Sequence, residues 1–397
     1  MTKNQKILLV LYPYVFSKFY WKKYEFDMLE KKYKIRIVIH QLIDFLSPNF
    51  KISFKKKSIK GVFNFNSFYE WLLNFNKLKN RNILIYSFVE SQNFYSFLVN
   101  FFIGRGSRPI LKYIYPDVPE LKSKISNKII FNLKNKNFLF FNVIKFFFNK
   151  VSEILNIKYC DYLITSKKYY LNNKFIFKKK KIKISIGTAL DYSNFLLSNK
   201  LKVKNYSLVK PYVVFLESPG PFNHGDEILF GYKYPLSKEN WSYSLNKFFK
   251  FIELNYKFRV VIAPHPKVEH DKDTKYYDGR EISKYSTDFL IKNCEFVISR
   301  VSTAISFAII YNKPIITICT NELFQNKRYM NSLIDFGKIL GISPLNIDKD
   351  LNKYEFDKKI YINGKKYNFY LRKYLNDNKN KIPNYEIISK ILYELKS

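Results

Sequence analysis

Cysteine, glycine and acidic side chains are all scarce in this chain of 397 residues. The three cysteines, Cys160, Cys294 and Cys319, lie far apart, with no C-x-x-C pair and no Cys/His cluster. That excludes the usual zinc site and disulfide framework and suits a reducing compartment. Glycine occurs only 11 times, and no P-loop, no G-x-G-x-x-G after a strand and no G-x-S-x-G is present. Those absences remove the commonest nucleotide-loop and serine-hydrolase signatures. No apolar run reaches membrane-spanning length. The early run at residues 6–12 is too short and lacks a small-residue cleavage site, so a strand is expected there and not a signal peptide. The expected location is cytoplasmic, either soluble or peripheral on the inner membrane face.

Acidic residues number 32 against 69 Lys and Arg, which leaves a formal net charge of +37. Part of this fits a Lys-, Asn-, Ile-, Phe- and Tyr-rich composition of the kind AT-rich genomes produce. The rest calls for an anionic partner: nucleic acid, an acidic membrane surface or a phosphorylated substrate. The charge is uneven. Between residues 121 and 183 there are 16 Lys and no Arg against Glu153 and Asp161, an excess of 14 positive charges.

Hydrophobic residues make up 47% of the chain, enough to bury a full core, and the length accommodates two domains. Residues 6–12, 35–40, 82–88, 109–113, 161–165 and 183–186 read as strands. Helical stretches at 19–32, 67–78 and 92–103 alternate with them, which predicts a first Rossmann-like domain. Residues 120–158 read as a Lys- and Phe-rich helix: a core helix with a solvated Lys face, or an interfacial segment that meets anionic lipid. Polar residues 193–210 lack periodicity and mark a boundary, so the expected domains are 1–200 and 211–397. In the second, residues 212–216 form a strand, 241–254 an amphipathic helix, 358–369 a hairpin around Asn363-Gly364, and 385–395 a final helix.

Residues 259–319 organise the second domain. A β-branched strand at 259–263 stops at Pro264-His265-Pro266, where prolines cannot continue a ladder. A second strand, 296–299, is followed by Ser302-Thr303, which cap a helix with Ala304, Phe307, Ala308 and Tyr311 at helical spacing. Asn312-Lys313-Pro314 ends it before a third strand at 315–319. Strand, loop, helix, strand is the pattern of a parallel α/β sheet, in which ligands sit at the carboxyl ends of strands beside helix N-termini. His265 and the Ser302-Thr303 pair fall at such ends, and a helix start with free N–H groups and hydroxyls suits phosphate.

A His-Pro after one strand, then Ser-Thr opening a helix that ends Asn-Lys-Pro-Ile-Ile, resembles the donor half of bacterial GT-B glycosyltransferases of capsule and lipopolysaccharide loci. Sialyl- and Kdo-type transferases are the nearest in pattern, and polyol-phosphate transferases of teichoic-acid synthesis carry a similar pair of motifs. The likeness is clearest over residues 212–323, with Tyr243-Ser-Leu-Asn-Lys-Phe-Phe and Asp278-Gly-Arg-Glu, and fades in the first two hundred. It implies an α/β chain of two Rossmann-like domains facing a cleft, an acceptor domain followed by a nucleotide-donor domain. It also implies that the last helix can return to the first domain.

The resemblance implies donor-phosphate contacts by His265 with Pro266, and by Ser302 and Thr303. Arg300, Lys267 and Arg280 are further cations that phosphate or a sugar carboxylate would attract. His265 could donate to the leaving nucleotide. An inverting transferase needs a carboxylate base, and Glu217, Asp226 and Glu90 are the candidates, with Asp191 a weaker one. His224 could touch substrate, while His40 and His270 read as structural or surface. The D-x-D signature of metal-dependent transferases is matched only by Asp271-Lys-Asp273, so no metal and no cofactor beyond the nucleotide-sugar substrate is expected. The expected reaction moves a CMP-activated acidic sugar onto a lipid-linked or oligosaccharide acceptor, with an anionic membrane surface as a further partner. One alternative is transfer of a polyol phosphate from a CDP-linked donor. A third reading, a basic nucleic-acid-binding protein, lacks any RRM, KH or helix-turn-helix signature, so no nucleic-acid partner is expected.

Overall fold

A computed structural model describes residues 5–47, 59–78, 82–115, 136–198, 211–218, 220–222, 235–266, 268, 274–283, 287–300 and 302–395. Two parallel sheets form within them. The first contains β1 (Ile7–Tyr12), β2 (Arg36–Gln41), β3 (Val62–Asn64), β4 (Ile83–Ser87), β5 (Ile110–Ile114), β6 (Tyr162–Thr165) and β7 (Lys183–Ile186), in the order β3-β2-β1-β4-β5-β6-β7. The second contains β8 (Tyr212–Leu216), β9 (Arg259–Ala263), β10 (Val297–Ser299), β11 (Ile315–Cys319) and β12 (Leu345–Asn346), in the order β12-β11-β10-β8-β9. Strands such as Ile-Leu-Leu-Val-Leu-Tyr and Tyr-Val-Val-Phe-Leu are apolar at every position because helices cover both faces, and each is buried throughout.

Trp71, Phe75, Val99, Ile103 and Phe177 pack one face of the first sheet, from the helices Phe68–Lys77, Phe94–Arg105 and Lys167–Lys179. Phe26, Leu29, Leu197, Ile388 and Leu392 pack the other. The last two belong to the helix Asn384–Glu394, so the chain leaves the second sheet and seals the first. Asn384 joins this helix to the segment after β7: its side chain accepts from the Thr188 N–H (3.1 Å) and donates to the Thr188 carbonyl (2.9 Å), while its own N–H donates to Ser193 Oγ (2.7 Å). The second sheet is covered by Lys238–Tyr256 on one face, through Trp241, Phe248 and Phe249, and by Thr287–Asn293 and Ile305–Ile310 on the other.

Three local expectations are revised. The single helix expected at 19–32 is two, Lys18–Lys23 and Phe26–Tyr33, because Glu25 adopts a left-handed conformation (φ 59°) that carries its carboxylate into the core. The expected hairpin around Asn363-Gly364 is a helix, Gly364–Tyr370. Asn363 caps it by accepting from the Lys366 N–H (3.1 Å), an alternative use of a residue that also favours turns. Residues 193–198, expected to be aperiodic, belong to the helix Leu190–Ser198. Residues 199–210 and 116–135 lie outside the described residues.

Candidate functional site

Both sheets reverse their strand order at one point. In the first, the chain leaves β1 toward β2 and returns on its other side as β4. In the second, it leaves β8 toward β9 and returns beside β8 as β10. Open α/β sheets bind ligands outside the carboxyl ends of strands at such reversals. Glu90 follows β4 by three residues. Glu217 directly follows β8, and Arg300 directly follows β10.

Glu217 is 2% exposed, and both of its carboxylate oxygens are engaged. Oε2 accepts from the His265 backbone N–H at 3.2 Å, and Oε1 accepts from the Tyr277 hydroxyl in a short hydrogen bond. The turn closes on itself where the Val268 N–H donates to the His265 carbonyl (2.8 Å). Burial, then the Glu217 charge, pushes the Tyr277 phenol well above its ordinary value, so it stays protonated as a donor. A buried carboxylate therefore holds the half-buried His265 in place at the end of β9. Glu217, one of the expected bases, is thus buried and positioned to orient that turn.

Across the reversal, Arg300 is buried, donates to the Gly220 carbonyl (3.3 Å) and lies over the Trp241 ring at 5.6 Å. It ties the loop after β8 to the loop after β10. Ser302 is half-buried and accepts from the Ala304 N–H (3.3 Å), and Thr303 is exposed. The helix starts at Ile305, two residues later than a Ser302 cap and one later than a Thr303 cap would place it, with Ala304 as its cap. Arg280 is used elsewhere. Its guanidinium forks onto Glu253 (2.8 Å and 2.8 Å), bonds Asn246 (2.9 Å) and lies over Phe249, clamping the Tyr277 segment to Lys238–Tyr256. That commitment corrects the expectation that it meets donor phosphate.

In the first domain Glu90 is exposed and paired with Lys145 at 2.7 Å. Partial burial pushes its carboxyl up, but Lys145, then Lys112 and Gln92, outweigh this and hold it below the ordinary value. Lys112 is buried, donates to the Val89 carbonyl (2.8 Å) and lies over the Tyr159 ring at 4.8 Å. Asp191 sits in the first turn of Leu190–Ser198. His40 is buried, and burial pulls its imidazole down to about 3, which keeps it neutral. Burial pushes the thiols up, to about 12 for Cys160 and Cys294 and about 11 for Cys319, so none is a ready nucleophile. Asp226, Lys267, His224, His270 and Asp271-Lys-Asp273 lie outside the described residues.

Sequence reasoning missed Tyr277, Trp241 and Lys112. Only Tyr277 carries a nearby signal, the Asp278-Gly279 turn that follows it.

No protein-family model and no curated protein matches the sequence. Among solved structures the fold is similar to that of S. aureus MnaA in a co-structure with UDP: 13% identity, 98% of this chain and 97% of that one, TM-score 0.51. It is also similar to a Listeria monocytogenes structure assigned as a UDP-N-acetylglucosamine 2-epimerase, at 10% identity over 99% and 98%, TM-score 0.50. The calicheamicin glycosyltransferase CalG4 matches at 9% identity over 99% and 100%, TM-score 0.49. At such identities the likeness bears on the fold alone: two parallel-sheet α/β domains of the GT-B kind.

Proposed function

We propose that the protein is a nucleotide-sugar-dependent glycosyltransferase of surface-glycan synthesis, with the nucleotide bound in the second domain and the acceptor in the first. The observation that carries the reading is the Glu217 carboxylate fixing the His265 turn beside the strand-order reversal of the second sheet, opposite Arg300 and Ser302. A strand-end histidine held this way can donate to the leaving nucleotide as charge develops on it. Pro266 shapes the turn. Arg300, Ser302 and Thr303 supply donors from the facing loop, with Lys267 as a further cation. Glu90, kept ionised by Lys145, is the favoured base for the acceptor hydroxyl, and Asp226 is its rival.

The His-Pro and Ser-Thr motifs support a CMP-activated acidic sugar as donor and a lipid-linked glycan as acceptor, with the enzyme peripheral on an anionic membrane face. The same motifs also support a CDP-polyol phosphotransferase. A second reading, a UDP-sugar isomerase, takes up the 2-epimerase assignment of the Listeria structure that shares the fold.

Melting temperatures with CMP, CDP, UDP and GDP, on wild type and His265→Ala, test the site. A ligand at a hundred times its Kd stabilises the native state by about 2.7 kcal/mol. A cytidine-selective rise that disappears in the variant is expected, and no response to any nucleotide overturns the reading. Product mass then separates a transferred sugar from a phosphodiester or an isomer.

A further inference from the structure

Large exposed apolar side chains concentrate on one flank of the first domain. The helices Phe68–Lys77, Phe94–Arg105 and Lys167–Lys179 cover the same face of the first sheet. Lys136–Ile154 lies outside Phe94–Arg105, joined to it by the stacked rings of Phe97 and Phe148 (4.9 Å). From these helices Phe94, Phe146, Phe147, Ile154, Leu171 and Phe175 are each between 54% and 80% exposed. Single exposed apolar residues are ordinary on a protein surface, but several large ones on helices that cover one face of a sheet point to an interaction surface.

The flank is also cationic. It carries most of the segment with 16 Lys and no Arg. The two acids of that segment are already neutralised, Glu153 by Lys150 (2.9 Å) and Asp161 by Lys158 (3.1 Å). Lysine stems lie along apolar surface while their ammonium groups reach outward to charge. Aromatic and aliphatic side chains interleaved with exposed ammonium groups, such as those of Lys174 and Lys178, fit a surface with anionic headgroups above an apolar interior.

We propose that this flank docks onto a bilayer containing acidic phospholipid, with Phe146, Phe147 and Phe175 entering the headgroup boundary and the lysines meeting lipid phosphate. Its purpose rests on the transferase reading. Lys145, on the same helix as Phe146 and Phe147, is paired with Glu90 at the end of β4, so a lipid-linked acceptor drawn from that bilayer meets the candidate base directly.

Flotation with vesicles of phosphatidylglycerol mixed with phosphatidylcholine, against phosphatidylcholine alone, tests the proposal. Wild type is expected to float with the mixed vesicles only, and less at high salt. Substituting Phe146→Ser, Phe147→Ser and Phe175→Ser together is expected to lower the bound fraction about tenfold, and Lys174→Glu with Lys178→Glu to lower it similarly. Because all five side chains project from the surface, melting temperatures should stay close to wild type. Wild type failing to bind, or the serine variant binding as well as wild type, overturns the proposal. So does a wild-type dimer that the serine variant converts to monomer without any vesicle binding, since a second copy would then own the flank. Nucleotide stabilisation measured on the same samples keeps the two ideas apart. Vesicle failure with that stabilisation intact removes only the docking surface. Vesicle binding with no nucleotide response removes the transferase reading.

Discussion

At the scale of single residues, the candidate site depends on one buried carboxylate that holds the His265 turn. Glu217 accepts from the His265 N–H and from the Tyr277 hydroxyl, and at 2% exposure both are buried hydrogen bonds that water does not readily replace. Removing one partner of a buried polar pair costs about 1–3 kcal/mol. Tyr277→Phe is therefore expected to lower unfolding free energy by that amount, and Glu217→Gln by a comparable one. The double variant should lose less than the sum, with a coupling of about 0.5–3 kcal/mol. Urea denaturation of the four proteins measures this, and strict additivity would mean the two side chains do not act together. Glu217 was legible in the sequence as a carboxylate at a strand end, but its burial was not. Its partner Tyr277 lies 60 positions away, and a contact over that separation leaves no local pattern. Arg280 misled for a related reason: a guanidinium beside Asp-Gly reads as free until Glu253, 27 positions earlier, is brought against it.

At the scale of elements, strands were the most legible feature, because parallel strands buried on both faces are written as continuous apolar runs. Helix ends were less so, since Asn363 serves turns and N-caps equally. The docking of Asn384–Glu394 was legible only as something the family resemblance permitted. What receives this helix is Glu25, whose Oε2 accepts from the Tyr385 N–H (2.8 Å) while Oε1 is buried without a partner. Burial, with smaller contributions from Asp27 and Glu386 and against the bonds from Ser193 and Tyr385, pushes this carboxyl from 4.5 up to about 7. The folded state thus holds a proton that the unfolded state has released over that window. Stability contributed by the protonated form is complete below about pH 4.5, falls as pH rises toward about 7, and is absent above it. At 1.36 kcal/mol per unit the total is about 3 kcal/mol. Glu25→Gln keeps an acceptor for Tyr385 without the titration. Its urea midpoint should exceed wild type at about pH 8 and differ little at about pH 5. Parallel curves for the two proteins would show that Glu25 does not titrate in this window.

At the scale of the whole molecule, the first sheet depends on chain that comes after the second. Ile388, Ile391 and Leu392 are at most 3% exposed against Phe26 and Leu29, and burying each such side chain contributes about 1.5–3 kcal/mol. The second sheet keeps separate cores around Phe248 and Phe249 on one face and Ile305 and Ala308 on the other, which owe little to this helix. Ile388→Asp places a charge where it has no partner, at a cost of about 4 kcal/mol or more. The expected calorimetric result is a first-domain transition displaced to lower temperature while the second-domain transition stays near its wild-type position. If the nucleotide binds at the His265 turn, adding it should raise only the upper transition, because the ligand protects only the unit that holds it. Both transitions moving together under Ile388→Asp would instead mean that the Asn384–Thr188 junction makes the two domains one cooperative unit. The terminal helix would then stabilise the second domain as well as the first, and both would respond to a single ligand.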